Sequence, residues 1–509
     1  MDQYNTPSYN SFSNELQSKN SDSKSINQTN PHTITANDII DEVDRVQRIF
    51  EPVSHDKILI RLLEKIEKVD FRELADFKDE NESLKRKHYL ICSIEQILKY
   101  AQNNNWNICR HLDLIYLYNG AYWSLFDDAE FQKFLGEAAE KMGIDKFDAK
   151  HYLFRKQLFE QFLSVAHLPK PDHKGDNVFI NLKNGTFEIS PSKQILRKPN
   201  SKDFITYQLN FEYNEEASSP LFFGYLNKVL PDIDSQRILA EYLGYIFIKP
   251  STLKLEKTLL LYGSGANGKS VFFEIVNAML GSENVSSYSL SNLTNENGYS
   301  RAMIANKLVN YASEINGKLE TSIFKQLVSG EPVEARLPYG NPFSLTNYAK
   351  LIFNCNELPK EVEQTHAYFR RFIIVPFDIV IPEHEQDKEL SKKIIDNELS
   401  GVFNWVLNGL NRILIQKNFT KSDAVFKQIE LYKKQSDSVQ MFLEEEGFEK
   451  NISENMGFKE FYSLYKIYCI ESGYYSCSKK TFGERLRSSG FNIEKKNYGL
   501  IVYVKKLSF

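Results

Sequence analysis

The first stretch of the chain, Met1 to about Asn37, is rich in Ser, Asn, Thr and Gln and poor in apolar residues. With little to bury, it is expected to be a disordered tail. From Asp38 to about Asn105 apolar positions return at helical spacing. In ILIRLLEKIEKV, Ile58, Leu62, Leu63 and Ile66 share one face, so this region reads as a helical cap. Trp106 to about Tyr213 is mixed. DLIYLYNGAYWSLFDD predicts a hairpin turning at Asn119-Gly120, and NVFINLKNGTFEISP a second about Asn184-Gly185, with a helix over Asp148 to His167 between them. Pro220 to Phe247 predicts two helices broken at Pro231-Asp232. Lys254 to about Phe377 alternates strands and helices, as a parallel α/β sheet does. Leu390 to Ile415 reads as one long helix, and Asp437 to Phe509 as a compact α+β unit.

The 509 residues suggest roughly three domains. The expected division is a tail over 1–37, an N-terminal α+β domain over 38–215, a central α/β domain over 216–420 and a C-terminal domain over 436–509. The net charge of −4 leaves any nucleic-acid contact to local basic surfaces. Five cysteines without a CxxC pair argue against a disulfide framework or zinc knuckle and fit a reducing compartment. No secretory signal and no apolar run of membrane-spanning length is seen, so a cytoplasmic protein without membrane contact is expected.

The strongest chemical signal is KTLLLYGSGANGKSVFFEIVNAMLG. Gly263, Ser264, Gly265, Ala266, Asn267, Gly268, Lys269 and Ser270 spell G-x-x-x-x-G-K-S between an apolar strand, Thr258 to Tyr262, and a helical pattern, Val271 to Leu280. Glycines let backbone N–H groups turn inward around phosphates, and the helix N-terminus adds its positive end. Lys269 supplies a cation to the β/γ-phosphates, and the Ser270 hydroxyl can hold Mg²⁺, so ATP and Mg²⁺ are the expected cofactors.

Three further elements follow in order. In NKLVNYASEIN a short strand, Leu308 to Ala312, ends at Glu314, a carboxylate able to bind the metal shell or polarise water. Read alone, it is equally an exposed Glu after a strand. In AKLIFNCNELP, Asn356 follows the apolar Leu351 to Phe353 and could sense the γ-phosphate; a turn Asn is the plainer reading. In YFRRFIIVPFD, Arg370 and Arg371 precede the strand Phe372 to Val375, and arginine's rigid fork suits phosphate oxygens. Between the Glu and Asn elements, Val333 to Leu337 and Phe343 to Leu345 predict a hairpin with Tyr339-Gly340-Asn341 at its tip. Arg336 offers it a phosphate contact and Tyr339 a stacking face for single-stranded DNA.

Near the C-terminus, Met456 to Cys469 predicts a helix, Ser478 caps a second through Ser488, and FNIEKKNYGLIVYVKK predicts a hairpin near Asn497-Tyr498-Gly499. Helix, helix and hairpin suggest a winged helix. From Lys479 to Phe509 there are eight Lys/Arg against two Glu, a balance suited to duplex DNA, with Lys479, Lys480, Arg485, Arg487, Lys495 and Lys496 as candidate contacts. A winged helix that docks protein remains the alternative.

The motifs GSGANGKS, LVNYASE, LVSGEPVEARLPYG, AKLIFNCNELP, FRRFIIVPF and ELSGVFNWVLNGL, in this order, resemble superfamily 3 helicases. The likeness is to the D5-like part of phage/plasmid and poxvirus primase–helicases, with replication initiators of staphylococcal pathogenicity islands and cassettes as near kin. It extends over roughly Trp106 to Ile415. The resemblance implies a multidomain α/β protein with an AAA+ P-loop ATPase core, and a ring-shaped, hexameric replicative helicase of a mobile genetic element. By it Lys269 and Ser270 take the Walker A roles, Glu314 the Walker B role with Mg²⁺, Asn356 the sensor role and Arg371 the trans arginine finger, with Arg370 second. Arg336 and Tyr339 fall in the pore hairpin. Expected partners are single-stranded DNA in the pore, duplex origin DNA on the C-terminal domain and host replication proteins. The chain departs from the family in having Ser313 where an acidic residue often precedes the Walker B Glu, Glu331 for a usual Asp, and no room for a primase domain. Asp232 and Asp234 read as a cap or turn and not a metal pair. The competing function is an origin-binding AAA+ switch that loads a host helicase without unwinding DNA itself.

Overall fold

The computed structural model describes residues 52–78, 82–111, 114–167, 177–313, 315, 319–359 and 362–507. The tail over 1–37, the start of the helical cap and Glu314 lie outside the described residues.

Helix α1 (His55–Lys65) buries Ile58 and Leu62, and Ile66 closes the same face, as the spacing predicts; Leu63 is only partly buried. Helix α2 (Arg86–Asn103) leads into a three-stranded antiparallel sheet, β1 (Asn107–His111), β2 (Leu114–Tyr118) and β3 (Trp123–Phe126). The β2–β3 hairpin is the predicted one; β1 has no alternating pattern of its own. Helices α3 (Asp128–Lys141) and α4 (Tyr152–Val165) complete this part. Asp127 caps α3 by accepting from the N–H groups of Ala129 and Glu130, both at 2.9 Å.

The second predicted hairpin forms as β4 (Val178–Leu182) and β5 (Gly185–Ser190), extended by an unpredicted third strand, β6 (Lys193–Arg197). Its buried Ile180, Leu182, Phe187 and Ile189 belong to the same core as Leu259, Phe272 and Ile352 of the central sheet. Residues placed by sequence in the N-terminal domain therefore share their core with the α/β part.

Helices α5 (Pro220–Val229) and α6 (Ile233–Tyr245) break where expected. Asp232 caps α6 by accepting from Ser235 N–H at 2.9 Å and also accepts from the Ser422 hydroxyl at 3.0 Å. The central sheet has five parallel strands: β7 (Thr258–Tyr262), β8 (Val285–Ser286), β9 (Val309–Ala312), β12 (Lys350–Cys355) and β13 (Phe372–Pro376), in the order β13-β7-β12-β9-β8. Near-continuous apolar burial along β7, β9 and β13 fits a sheet covered on both faces. Helix α7 (Lys269–Leu280) follows β7, and α8 (Thr321–Ser329) precedes the antiparallel pair β10 (Val333–Ala335) and β11 (Phe343–Leu345).

The single helix expected over Leu390 to Ile415 is two, α9 (Leu390–Asn397) and α10 (Leu399–Gln416). The break serves another element. Glu398 leaves helical geometry, and its carboxylate accepts from the N–H groups of Leu221 at 3.0 Å and Phe222 at 2.9 Å, capping α5 from across the chain. An unpredicted helix, α11 (Asp423–Gln435), follows. The C-terminal unit has its own core and runs α12 (Ser438–Glu445), β14 (Phe448–Gly457), α13 (Phe458–Glu471), α14 (Lys479–Ser488), β15 (Ile493–Lys496) and β16 (Gly499–Lys506). The predicted hairpin β15–β16 is widened by β14, which pairs with β16 through an irregularity between Lys450 and Asn455.

Candidate nucleotide and DNA sites

The glycine-rich loop lies between the end of β7 and the start of α7. Two of its glycines are dictated by close contacts. A Cβ on Gly263 would stand 2.3 Å from both Asn267 Nδ2 and the Phe377 carbonyl oxygen. At Gly268, where φ is +87°, a Cβ would meet Val229 Cγ1 at 2.8 Å and Tyr225 Cε2 at 2.9 Å. Helix α5 thus buttresses the loop, and Tyr225 fixes it further by donating its hydroxyl to the Gly268 carbonyl at 2.8 Å. Asn267 is buried and donates to Phe377 O at 2.8 Å.

Lys269 is 6% exposed, and its ammonium donates to Gly263 O at 2.7 Å and Asn267 Oδ1 at 3.0 Å. Burial pushes it below the usual lysine range, against a smaller opposing pull from Cys355, whose thiol burial raises to about 12. An ammonium removed from water and held only by neutral acceptors gains by meeting an anion. Gly265 has no atom within 4 Å of its Cβ direction, and Ser264, Ala266 and Ser270 are exposed, so the loop's outer wall is open. Loop, buried ammonium, Ser270 hydroxyl and α7 N-terminus fit a nucleotide phosphate group with its divalent cation.

The sheet gathers the other candidates by edge. Cys355 pairs with Tyr262, and the Gly263 N–H donates to Cys355 O at 3.1 Å, so exposed Asn356 stands beside the loop. Strand β9 runs parallel to β12 and ends at Ala312, two residues before Glu314. The arginines are at the other edge. Phe372 pairs with Thr258 and Pro376 with Tyr262, so Arg370 and Arg371 precede the first residue of β7, while the glycine loop follows its last.

The two arginines differ in burial. Sequence reasoning ranks Arg371 first, yet its residue is 8% exposed. It donates to the Ala367 carbonyl and, at 3.2 Å, to Ser329 Oγ, and its Nε is buried without an acceptor. Arg370 keeps a side chain 41% exposed and pairs with Glu256. Glu256, which sequence reasoning missed, adopts φ of +54° just before β7 and also faces Arg371 at 3.6 Å and Lys254 at 3.5 Å. Burial opposes its charge, but the Arg370 hydrogen bond and the fields of Arg370, Arg371 and Lys254 prevail and hold its carboxyl below the usual glutamate range.

The β10–β11 pair forms where predicted, with its first strand ending earlier, at Ala335. Arg336 is exposed and donates from Nε to Gly340 O at 2.9 Å, closing the loop behind Tyr339. Tyr339 sits at φ of +60° with its side chain wholly in solvent. In the C-terminal unit Lys479, Lys480, Arg487, Lys495 and Lys496 are exposed, though Lys496 is paired with Glu494 at 2.7 Å. Arg485, the remaining candidate contact, is partly buried. It turns to Asp437 at 3.1 Å, because its position on α14 lies over the start of α12.

Three family models match parts of the chain. Residues 95–231 match a D5 N-terminal-like domain, residues 261–371 a family of unknown function, and residues 434–506 a poxvirus D5 protein-like domain. Among curated proteins, "Putative helicase L207/L206" of Acanthamoeba polyphaga mimivirus is 25% identical over 47% of this chain and 26% of its own length. "Putative helicase 121R" of Invertebrate iridescent virus 3 is 23% identical over 58% of this chain and 35% of its own length. Two of the three family models are thus D5-like, and both viral relatives are named helicases. The chain spans about a quarter to a third of the length of those relatives. Among solved structures the NrS-1 C-terminal region aligns at a TM-score of 0.42 and 13% identity, over 81% of this chain and 98% of that one. A second form of that region gives 0.43 at 14% identity, over 81% of this chain and 99% of the other. Among the described residues, no helix is long and apolar enough to cross a membrane.

Proposed function

We propose that this chain is a superfamily 3, AAA+ DNA helicase and replication initiator of a mobile genetic element. Its copies form a ring, hydrolyse ATP–Mg²⁺ between neighbours and move along single-stranded DNA. The observation that carries the reading is the placing of Lys269 and Arg370 at opposite edges of one parallel sheet, separated by the length of β7. A five-residue strand spans roughly 15 Å. A guanidinium that far from its own phosphate loop serves a nucleotide held by a second copy.

In this reading the N–H groups of residues 263–270 and the Lys269 ammonium hold the phosphates. Ser270 and Glu314 hold Mg²⁺, and Glu314 and Asn356 orient the attacking water. Bound Mg²⁺ supplies positive charge to the phosphate oxygens during transfer. Arg370, whose guanidinium reaches the surface, is the finger, and Arg371 stands behind it. The β10–β11 hairpin grips DNA through Arg336 and Tyr339, as exposed basic and aromatic groups on a projecting loop suit a single strand. Residues 436–509 form a winged-helix module for duplex origin DNA, 216–420 the motor and 38–215 an N-terminal domain. Six copies per ring and contacts with host replication proteins belong to the same proposal.

Strand displacement on a forked duplex, with purified protein, ATP and Mg²⁺ and no host factors, tests it. ATP-dependent unwinding is expected. ATPase activity that never separates strands would favour a switch that loads another helicase.

A further inference from the structure

The cluster around Glu256 extends away from the finger. Lys254 pairs with Glu256 at 3.5 Å and with Glu331 at 3.3 Å. Glu331 lies between the end of α8 and β10, and its carbonyl accepts the Tyr348 hydroxyl at 2.7 Å. Arg371 reaches the same junction from below, donating to Ser329 Oγ, on the last residue of α8, at 3.2 Å. Two chains of polar contacts therefore run from Glu256 to the base of the β10–β11 hairpin. One passes through Lys254 to Glu331 and the other through Arg371 to Ser329.

The cations in this cluster share their carboxylates, since Lys254 also pairs with Glu331 and Arg371 lies in the fields of Glu331 and Glu363 as well as Glu256. Glu256 alone faces Arg370, Arg371 and Lys254. Its hydrogen bond goes to Arg370, and its 3.6 Å approach to Arg371 is longer than a hydrogen bond. Arg371 in turn keeps Nε buried without an acceptor, a donor that is unsatisfied as the cluster stands. A phosphate that draws Arg370 outward removes the first claimant and lets Glu256 close on Arg371 and Lys254. Both cations then loosen their hold on Ser329 and Glu331.

We propose that Glu256, Arg371 and Lys254 form a relay that couples Arg370's engagement of a neighbouring nucleotide to the position of the β10–β11 hairpin. Arg371 is thereby a positioning residue and not the finger. The inference rests on the proposed function, since it requires Arg370 to meet a phosphate and the hairpin to meet DNA.

The test uses the full chain and variants at the hairpin base, Ser329→Ala and Glu331→Gln, outside the nucleotide machinery. ATP hydrolysis is measured with and without an oligothymidylate, and oligothymidylate affinity is measured separately by fluorescence anisotropy. Wild type is expected to be stimulated by the oligonucleotide. In the double variant, stimulation is expected to fall about threefold to tenfold, the range of a coupling network. Its basal rate and DNA affinity stay unchanged. Ser329→Thr, which keeps the hydroxyl, and Glu331→Asp, which keeps the charge, are expected to restore part of the loss. Full stimulation in the double variant overturns the relay and leaves the proposed function standing. An equal loss of DNA affinity also overturns it, since the hairpin would then be merely misfolded. Wild type that neither binds nor responds to the oligonucleotide removes the proposed function and the relay with it.

Discussion

Arg370 and Arg371 are neighbours in the chain and opposite in placement: one guanidinium is exposed and paired to Glu256, while the other is buried against Ser329 and Ala367. The carbonyl of Arg371 accepts the Thr258 N–H at 2.8 Å, and that of Arg370 accepts the Lys257 ammonium, so the backbone of both is fastened to the entry of the phosphate-loop strand. One side chain faces the surface and the other is enclosed.

Alanine at the two positions therefore has different consequences. Arg370→Ala is expected to lower ATP turnover by about a thousandfold, as loss of a finger does, and to cost only the part-exposed pair with Glu256, about 1 kcal/mol or less. Arg371→Ala leaves the Ser329 hydroxyl and the Ala367 carbonyl without their donor in a buried place and is expected to cost about 1–3 kcal/mol of stability. Thermal melts beside phosphate-release assays separate them.

The loop glycines give a second contrast. Gly268→Ala sets a methyl against Val229 and Tyr225 at a positive φ and is expected to cost about 1–3 kcal/mol and to abolish nucleotide binding. Gly265→Ala, which meets nothing within 4 Å, carries only the backbone penalty. Calorimetric titration with a non-hydrolysable ATP analogue, alongside melts, reads both.

Glu256 ties stability to pH. Its carboxyl is held below the ordinary value of 4.5 in the folded chain. The stability it contributes is thus present above 4.5 and lost as pH falls through its folded-state value. Glu256→Gln is expected to be less stable than wild type at neutral pH, and the gap to close in acid below 4.5. Denaturant midpoints across pH 3 to 8, roughly the span of carboxylate titration, show whether it does.

In the C-terminal unit, substitution of Lys479, Lys480, Arg487 or Lys495 by alanine is expected to weaken duplex binding. The salt dependence flattens by about one unit of slope for each phosphate that is no longer neutralised. Arg485→Ala is expected to act on stability instead, because its partner is Asp437. Binding isotherms at several salt concentrations, paired with melts, distinguish the two.

What the sequence made legible follows from how local each signal is. Gly263 to Ser270 announces itself because strand, loop and helix are contiguous. Val333 to Leu345 reads as a hairpin because its turn chemistry lies within it. Strand β14 was not legible, since its pairing with β16 is broken between Lys450 and Asn455 and most of it is exposed. Nor was the break at Glu398, which answers to the N–H groups of Leu221 and Phe222, 177 and 176 residues earlier. The different burial of the two arginines was hidden for the same reason. The carboxylate that sorts them is Glu256, 114 residues before Arg370, in a segment with no motif. The inward turn of Arg485 depends on Asp437, 48 residues away. Side chains whose role is set by a distant partner leave no periodic trace in the chain.

In the proposed ring each nucleotide is completed by two copies, one giving Lys269 and the next Arg370. Mixing Lys269→Ala with Arg370→Ala protein, each inactive alone, tests it most directly. The mixture forms some interfaces with an intact lysine loop on one side and an intact arginine on the other. ATP hydrolysis should therefore reappear on mixing and rise to a maximum near equal proportions. A mixture as inactive as its components, under conditions where wild-type copies assemble and hydrolyse ATP, would show that the two residues do not act across a shared interface.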